Sequence, residues 1–505
     1  MDLLKESQLS AKPGQSQSPA HGLSQSPARN RLFWRLGTAL ALASGAALRL
    51  WMMRAIPQVE GDTLLYGNLA RNLLLHGQFA IADGSGVLHQ TLLRLPGYPL
   101  FLAACFHLFG VGNYNAVILV QIAMELAGCL LLAGFAQQIA GECLGRAAAQ
   151  ATLWLSALCP FTASYSVAPL TETATLFAIA LALWSMSRFD VEIRFHARPS
   201  WPSALAFTFA VSFAALLRPD GALVGLALTP GLLLGLRPAL NANAVPIKRL
   251  VRMGALCALL AVLPFAVWAV RNWRVFHAFE PLAPRYANDP GEPVNSGWQR
   301  WMKTWCLDFV STYQIYWNVP DGPFDLRVLP ARAFDTPAQR AQTEALAAAY
   351  NDNGQDLSPA IDAGFARLAE DRVQADPLRF YLWLPLGRMA DMWFRPRVEN
   401  LNIDLDWWVY KHHNNETIFS WSYVALNAIY VLLGLAGLCL RPKYWQGMLL
   451  YLVLRSALLA TLEAPEARYT LECFPMLFVL GAVVIATAAQ RVGQHNQTEI
   501  ASPAR

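Results

Sequence analysis

The most suggestive polar residues of the chain follow its first apolar run. Asp62 comes directly after that run, and Tyr66 lies one helical turn further on. Residues four apart share a helix face, so the two side chains can meet one substrate. One interpretation of Asp62 is a helix cap, because the helix dipole favours an acid at an N-terminus. The other is a general base that takes a proton from an attacking group.

A second group consists of arginines at the edges of apolar runs. Arg94 stands just before Tyr98 in a Pro/Gly-rich turn, Arg271 ends one run, and Arg468 precedes Tyr469 and the last run. The guanidinium fork fits the oxygens of a phosphate. Taken singly, each arginine could be a headgroup anchor or half of a local ion pair, and Tyr98 an anchoring aromatic residue. Taken together, they predict a phosphate site at the membrane surface.

Glu172 lies inside an apolar run, 167–188. A carboxylate within a membrane span is costly and generally faces a cavity or a partner. We therefore include Glu172 among the candidate site residues. The sequence Arg218-Pro219-Asp220-Gly221 is interpreted as a turn that joins two helices.

Composition indicates a membrane protein. Of 505 residues, 55% are hydrophobic and 14% charged, whereas soluble globular proteins have about 25% charged residues. The net charge of +5 is too small to indicate a nucleic-acid partner. Residues 1–30 lack an apolar run, which is typical of a disordered tail. The run that follows is long enough to span a bilayer and lacks a small-residue cleavage site, so we predict an uncleaved first span.

Ten apolar runs are candidate membrane spans, and a shorter one, 97–110, suits an interfacial or re-entrant helix. The spans are expected near 33–53, 113–140, 147–164, 167–188, 203–218, 220–237, 251–271, 417–440, 446–461 and 470–489. Threading them from a cytoplasmic N-terminus places the Lys- and Arg-rich loops inside, as the positive-inside rule requires. The N- and C-termini are then cytoplasmic, and Asp62 and the candidate arginines lie outside.

The predicted fold is an all-α polytopic membrane protein with about 10–13 helices in or at the membrane. Its outer loop contains an amphipathic helix at 63–75, and the large outer segment is mainly helical, notably over 336–375, and rich in Trp that suits a membrane surface. The expected divisions are a cytoplasmic tail 1–30, a transmembrane core 31–274 with outer loop 54–112, an extracytoplasmic segment 275–415, transmembrane helices 416–490 and a cytoplasmic tail 491–505.

In their order along the chain, the motifs resemble the GT-C class of polyprenyl-phosphate-sugar-dependent glycosyltransferases. Within that class the chain is similar to bacterial family 39, which contains protein O-mannosyltransferases and the lipid A aminoarabinose transferase. The resemblance covers residues 33–275 and 417–489, whereas segment 280–410 is similar only in kind. It is carried by Gly61-Asp62 with Tyr66, residues 70–77, Pro96-Gly97-Tyr98-Pro99-Leu100, Leu170-Thr171-Glu172, residues 217–221, Val270-Arg271-Asn272 and Glu466-Ala467-Arg468-Tyr469 with Pro475.

The resemblance implies an inverting sugar transfer at the extracytoplasmic face of the plasma (inner) membrane. The donor would be a polyprenyl-phosphate-linked sugar, and the acceptor a protein, lipid A or a glycan. Asp62 would deprotonate the acceptor hydroxyl, while Arg271 and Arg468, with Arg94, would hold the leaving phosphate. Glu172, Tyr66, Tyr98 and Tyr469 would contribute to substrate binding. No cofactor is required by the sequence, and a divalent cation remains open.

One departure from the family pattern concerns the first loop. Many members carry Asp-Glu there, and Thr63 replaces the Glu in this chain. Two other classes of function also remain open. A polytopic transporter or flippase would carry charges within the membrane, although such proteins usually show internal repeats or paired broken helices, and neither is visible. A non-catalytic membrane protein of envelope assembly would bind its partner through segment 275–415.

Overall fold

The computed structural model of the protein describes residues 27–56, 59–196, 199–241, 246–320, 322–401, 403, 406 and 414–501. Most of the predicted tail 1–30 therefore lies outside the described residues, as do parts of segment 275–415 near its end. The fold class is confirmed, because the described chain is almost wholly helical. Its strands form one small hairpin, β1 (Ala80–Ala82) and β2 (Leu88–Gln90).

Ten helices precede the large outer segment within the described residues. They are α1 (Pro27–Ala55), α2 (Asp62–His76), α3 (Gly97–Phe109), α4 (Tyr114–Ile139), α5 (Gly141–Ala157), α6 (Pro160–Ser166), α7 (Thr171–His196), α8 (Trp201–Leu217), α9 (Ala222–Asn241) and α10 (Ile247–Phe276). The outer segment contains α11 (Ser296–Lys303), α12 (Phe309–Ser311), α13 (Pro337–Asp352), α14 (Pro359–Ala375) and α15 (Leu384–Phe394). The chain continues with α16 (Asn414–Cys439), α17 (Trp445–Ala460) and α18 (Phe474–Ala501).

The membrane character of the chain follows from helix length and composition. Within the described residues, seven helical segments are long and apolar enough to cross a bilayer, and they belong to α1, α4, α7, α9, α10, α16 and α18. Three shorter apolar helices, α3, α8 and α17, have 13, 17 and 16 residues. The chain is a multi-pass membrane protein.

One predicted span is divided in the structure. The single span expected at 147–164 consists of α5 and α6, because Pro160 lacks an N–H and fits only the first turn of a new helix. The helix that contains the last predicted span, α18, continues beyond residue 489 to Ala501. The end of that span itself stays a prediction.

The first outer loop forms the expected helix, α2, and then an unpredicted hairpin. Gly77 ends α2 with φ 66°, a left-handed conformation that suits glycine. The Asn72 amide donates to the carbonyl of Ala80 at 2.8 Å, which fastens β1 to the helix. The hairpin pairs Ala80 with Gln90 and Ile81 with His89.

Gly97 allows α3 to pack directly against the end of α8. A Cβ at position 97 would lie 2.6 Å from the carbonyl carbon and oxygen of Leu216. These are backbone atoms, so they cannot rotate away as a flexible side chain would.

Gly97→Ala is therefore expected to lower the free energy of unfolding by about 1–3 kcal/mol, the usual cost of overpacking. The measurement is thermal unfolding of the purified protein in detergent. Gly254→Ala is the matched control, because Gly254 is also helical and a Cβ there meets nothing within 4 Å. An unchanged melting temperature in Gly97→Ala would show that α3 and α8 separate freely.

A basic cluster lies at the opposite end of α7 from Glu172. Asp190 Oδ1 accepts from Arg194 Nε at 2.8 Å, and its Oδ2 accepts from the Tyr444 hydroxyl at 2.7 Å and also pairs with Lys443. Arg194 and Lys443 both belong to loops predicted to be cytoplasmic. The positively charged loops and the candidate site residues therefore occupy opposite ends of the helices.

The outer segment has its own aromatic core. Trp298, Trp301 and Trp305 are buried there with Phe324 and Phe365. The prediction that the Trp-rich composition suits a membrane surface is therefore wrong for these three residues. The helical stretch expected at 336–375 also divides into α13 and α14, and the turn between them contains left-handed residues.

Candidate active site

A cavity of about 1980 Å³ opens at the end of the helices that carries the candidate residues. Its walls come from the start of α2, the loop before α3, the start of α7, the turn after α8, the outer segment and the stretch before α18. The lining includes Asp62, Tyr66, Arg94, Glu172, Arg218, Asp220, Glu466, Arg468 and Tyr469. Segments far apart in sequence thus converge on one space.

Asp62 lies at the mouth of this cavity between two arginines. Its Oδ1 accepts from Arg94 Nη2 at 3.0 Å, and its Oδ2 lies 3.7 Å from Arg468 Nη2. The side chain is 35% exposed, so it is open to a substrate. The N-cap residue of α2 is Gly61, which has no side chain to cap the helix. The carboxylate is thus engaged with arginines, although it also begins a helix.

Tyr66 and Tyr98 form an edge-to-face pair, with ring centroids 5.1 Å apart, behind Asp62. The Arg94 guanidinium lies 5.9 Å from the Tyr66 centroid. Burial raises the pKa of Tyr66, and the charge of Arg94 only partly opposes that shift. Burial by itself would lower the pKa of Arg94, but Tyr66 and Asp62 raise it above the ordinary value. Arg94 therefore keeps its positive charge beside Asp62.

Tyr98 supports the wall rather than lining it. Its hydroxyl donates to Gln121 Oε1 at 2.7 Å, and the Gln121 amide donates to the carbonyls of Ser166 and Ala168. Of the three tyrosines predicted at the site, Tyr66 and Tyr469 line the cavity, and Tyr98 is fully buried beside Tyr66.

Glu172 is almost fully buried in the cavity wall, with its side chain 2% exposed. Its Oε1 lies 3.3 Å from Arg218 Nη1 and 4.0 Å from Arg468 Nε. Among the residues that the structure describes, its Oε2 has no hydrogen-bond partner. The structure thus provides an acceptor atom that a substrate hydroxyl could satisfy.

Tyr469 and Glu466 organise the two deeper arginines. The guanidinium groups of Arg218 and Arg468 lie 5.1 and 5.5 Å from the centroid of the Tyr469 ring. Arg468 Nε lies 2.5 Å from Glu466 Oε2, and the Tyr469 hydroxyl donates to the other oxygen of Glu466. Residues 466–469 therefore fix the orientation of Arg468 through two kinds of contact.

Sequence reasoning missed the buried part of this cluster. Arg218 was placed in a turn, but it contacts Asp220 at 3.4 Å and Glu472 at 3.2 Å in addition to Glu172. Arg455, fully buried, binds Asp220 at 2.7 Å and Glu472 at 2.8 Å. The sequence did contain a signal for this pairing. One apolar run carries Arg455 and the next carries Glu472, and charged residues within membrane spans need partners.

Arg271 does not reach the cluster. It donates to the carbonyls of Thr91 and Phe79 at 2.8 and 2.9 Å, and its guanidinium lies 5.0 Å from the Trp268 ring centroid. Thr91 is three residues before Arg94, so Arg271 holds the loop that carries Arg94. Within the described structure, it is therefore placed to position the site rather than to line the cavity.

A metal ion has no evident ligand set within the described ranges. No group of three or more His, Cys, Asp or Glu side chains there is arranged to hold one. The carboxylates of the cluster are instead paired with arginines.

Comparison with solved structures finds two membrane enzymes to which this chain is similar. The oligosaccharyltransferase AglB from Archaeoglobus fulgidus, in complex with an inhibitory peptide and a dolichol-phosphate, is 12% identical with a TM-score of 0.46. The alignment covers 94% of this chain and 52% of AglB, so the chain spans about half its length. ArnT from Cupriavidus metallidurans, bound to undecaprenyl phosphate, is 15% identical with a TM-score of 0.37, and the alignment covers 90% and 77% of the two chains.

Sequence comparison finds a similar family model for part of the chain. No curated protein matches the chain. Residues 94–268, however, match the family model described as dolichyl-phosphate-mannose-protein mannosyltransferase. The matched stretch contains Arg94, Tyr98, Glu172 and Arg218, and it brings three of them to the cavity wall. The match is limited to this stretch of the chain, and it agrees with the resemblance that the sequence motifs carry.

Proposed function

We propose that the protein is a membrane glycosyltransferase that moves a sugar from a polyprenyl-phosphate donor to an acceptor hydroxyl. The observation that carries this proposal is the position of Asp62, between Arg94 and Arg468 at the mouth of the large cavity. A carboxylate beside two guanidinium groups combines a proton acceptor with a binding site for a leaving phosphate. The description of the matching family also names a lipid-phosphate sugar donor.

The arginines would bind the donor phosphate. Without substrate, Arg94 is neutralised by Asp62, and Arg468 by Glu466, Asp62 and Glu172. A phosphate placed between Arg94 and Arg468 would take over their hydrogen bonds and leave Asp62 free to accept a proton. The same two groups would neutralise the charge that develops on the phosphate as the glycosidic bond breaks.

Asp62 would act as the general base in an in-line displacement. The acceptor oxygen attacks the anomeric carbon, and its proton passes to Asp62. The bond from that carbon to the phosphate oxygen breaks, and the lipid phosphate leaves with the electron pair. The configuration of the sugar is inverted, because attack and departure occur on opposite faces. Oε2 of Glu172 would accept a hydrogen bond from a sugar hydroxyl.

The site would face the extracytoplasmic side of the inner membrane. Supporting this orientation, Arg194 and Lys443 lie at the other end of the helices, where the positive-inside rule expects the cytoplasm. The acceptor could be a protein hydroxyl, lipid A or a glycan, because the cavity is large enough to admit the hydroxyl-bearing part of any of them.

The test is a transfer assay with the full-length protein in liposomes that contain a radiolabelled polyprenyl-phosphate sugar. We expect release of polyprenyl phosphate and label on an added acceptor, with acceptors drawn from envelope lipids, glycans and proteins. Mass analysis of the envelope of a strain lacking the protein would identify the missing product. Movement of intact labelled lipid across the bilayer without bond cleavage would overturn the proposal in favour of a flippase. Unaltered envelope glycans and lipids in that strain, together with no turnover of the lipid donor, would overturn it in favour of an assembly protein.

A further inference from the structure

An amphipathic helical stretch leads from the outer segment back to the membrane. A π-helical turn, Arg379–Trp383, runs directly into α15. Five large apolar residues on this stretch are between 44% and 68% exposed, namely Leu378, Tyr381, Leu382, Trp383 and Leu386. A patch of this kind on a folded protein marks a contact surface.

The polar residues of the same stretch point inward. Arg379 forms a bidentate pair with Asp335, both bonds at 2.7 Å. Arg388 is fully buried and donates to three backbone carbonyls of the outer segment and the loop before α18. Asp391 accepts from the backbone N–H of Phe309 at 3.2 Å. The apolar side chains therefore face outward, an orientation that suits contact with lipid rather than with water.

The stretch ends against two apolar helices that follow the outer segment. The Trp393 indole donates to Ser456 on α17 at 3.3 Å, and Asn427 on α16 donates to the carbonyl of Trp393 at 2.7 Å. Large apolar side chains are also exposed at Phe394 and, on α16, at Trp421. The exposed apolar residues of the stretch therefore lie within a few helical turns of a candidate membrane span.

We propose that residues 378–386 form an interfacial anchor in the membrane leaflet at which the cavity opens. Leu378, Leu382 and Leu386 enter the acyl boundary, while Tyr381 and Trp383 place their polar edges at the headgroups. This inference does not depend on the proposed reaction.

The anchor is coupled to the cavity wall. Besides the Asp391 bond, the guanidinium of Arg395 lies 5.2 Å from the Phe309 ring centroid. Phe309 packs against Trp317 at 5.4 Å, and both residues line the cavity. Insertion of the anchor therefore sets the height of this aromatic wall relative to the bilayer surface.

The test uses nitroxide labels on the full chain in liposomes, with Cys143→Ser and Cys439→Ser removing the exposed native thiols. Leu382→Cys tests the anchor, and Ala345→Cys on the exposed side of α13 is the water-facing control. We expect high oxygen and low nickel-chelate accessibility at position 382, with high nickel-chelate accessibility at 345. High nickel-chelate accessibility at 382 would overturn the proposal in favour of a water-exposed face. Low accessibility to both reagents would overturn it in favour of a protein partner or a second copy.

Discussion

Asp62→Asn is expected to abolish measurable sugar transfer, lowering kcat by about 10²–10⁴-fold, the usual contribution of a general base. Asparagine keeps the shape of the side chain and can still accept from Arg94, but it cannot take a proton. The pair is a third exposed, and exposed ion pairs contribute about 0–1 kcal/mol, so the fold should be retained. The measurement is initial transfer rate at saturating donor, beside the melting temperature of each variant.

Glu60→Gln is the matched control for Asp62→Asn. Glu60 is an exposed acid two residues earlier that also lines the cavity, and within the described contacts no ion pair joins it to the arginines. If the loop acted only through its overall negative charge, the two variants would lose activity equally. Unchanged transfer in Asp62→Asn would remove the proposed base. A loss confined to Asp62→Asn, in a protein of normal stability, would support it.

The spans could be predicted because lipid imposes a length and a composition on each helix. Most predicted runs agree with a helix to within a few residues, and α2 begins at Asp62, one residue before the predicted start. The prediction was wrong where local backbone chemistry ends one helix and begins another, as at Pro160. The β1–β2 hairpin was missed because its strands have three residues each, too few to show an alternating pattern.

The site could be predicted only in part, because hydropathy gives the depth of a residue but not the direction of its side chain. Asp62 and Arg468 were placed at one end of the helices and Glu172 within a span, and Arg468 lies within 4.0 Å of both carboxylates. Arg271 lies at the same end of α10, but its guanidinium is directed toward the β1–β2 hairpin.

The buried cluster required knowledge of which spans are neighbours. Arg455 and Glu472 lie in consecutive apolar runs, and their pairing depends on the close approach of α17 to the turn before α18. Arg49 and Glu125 show the same logic elsewhere, since they stand in two apolar runs and pair at 2.7 Å. Opposite charges in separate spans therefore predict an ion pair within the membrane. The sequence alone does not say which of the charged residues are partners.

Arg468→Ala is expected to reduce kcat by about 10²–10³-fold, as does removal of one donor from a site that stabilises developing charge. Arg468 is the arginine that contacts both Asp62 and Glu172, and it is 20% exposed toward the cavity. Removing it also leaves the buried carboxylate of Glu466 without this partner, which can cost about 3–5 kcal/mol. Transfer must therefore be measured against lipid-phosphate donor concentration and normalised to folded protein.

Arg468→Lys separates the effect of charge from that of geometry. Lysine keeps the positive charge but loses the fork that can hold two phosphate oxygens, so we expect activity between that of the native protein and that of Arg468→Ala.

Arg271→Ala should raise KM for the donor more than it lowers kcat, because Arg271 acts on the loop that carries Arg94. Arg274→Ala, at an exposed neighbouring position, should change neither constant. A phosphate site requires one guanidinium to contribute more than the others. If the Arg468, Arg271 and Arg274 substitutions had equal effects, the three arginines would instead be generic membrane anchors.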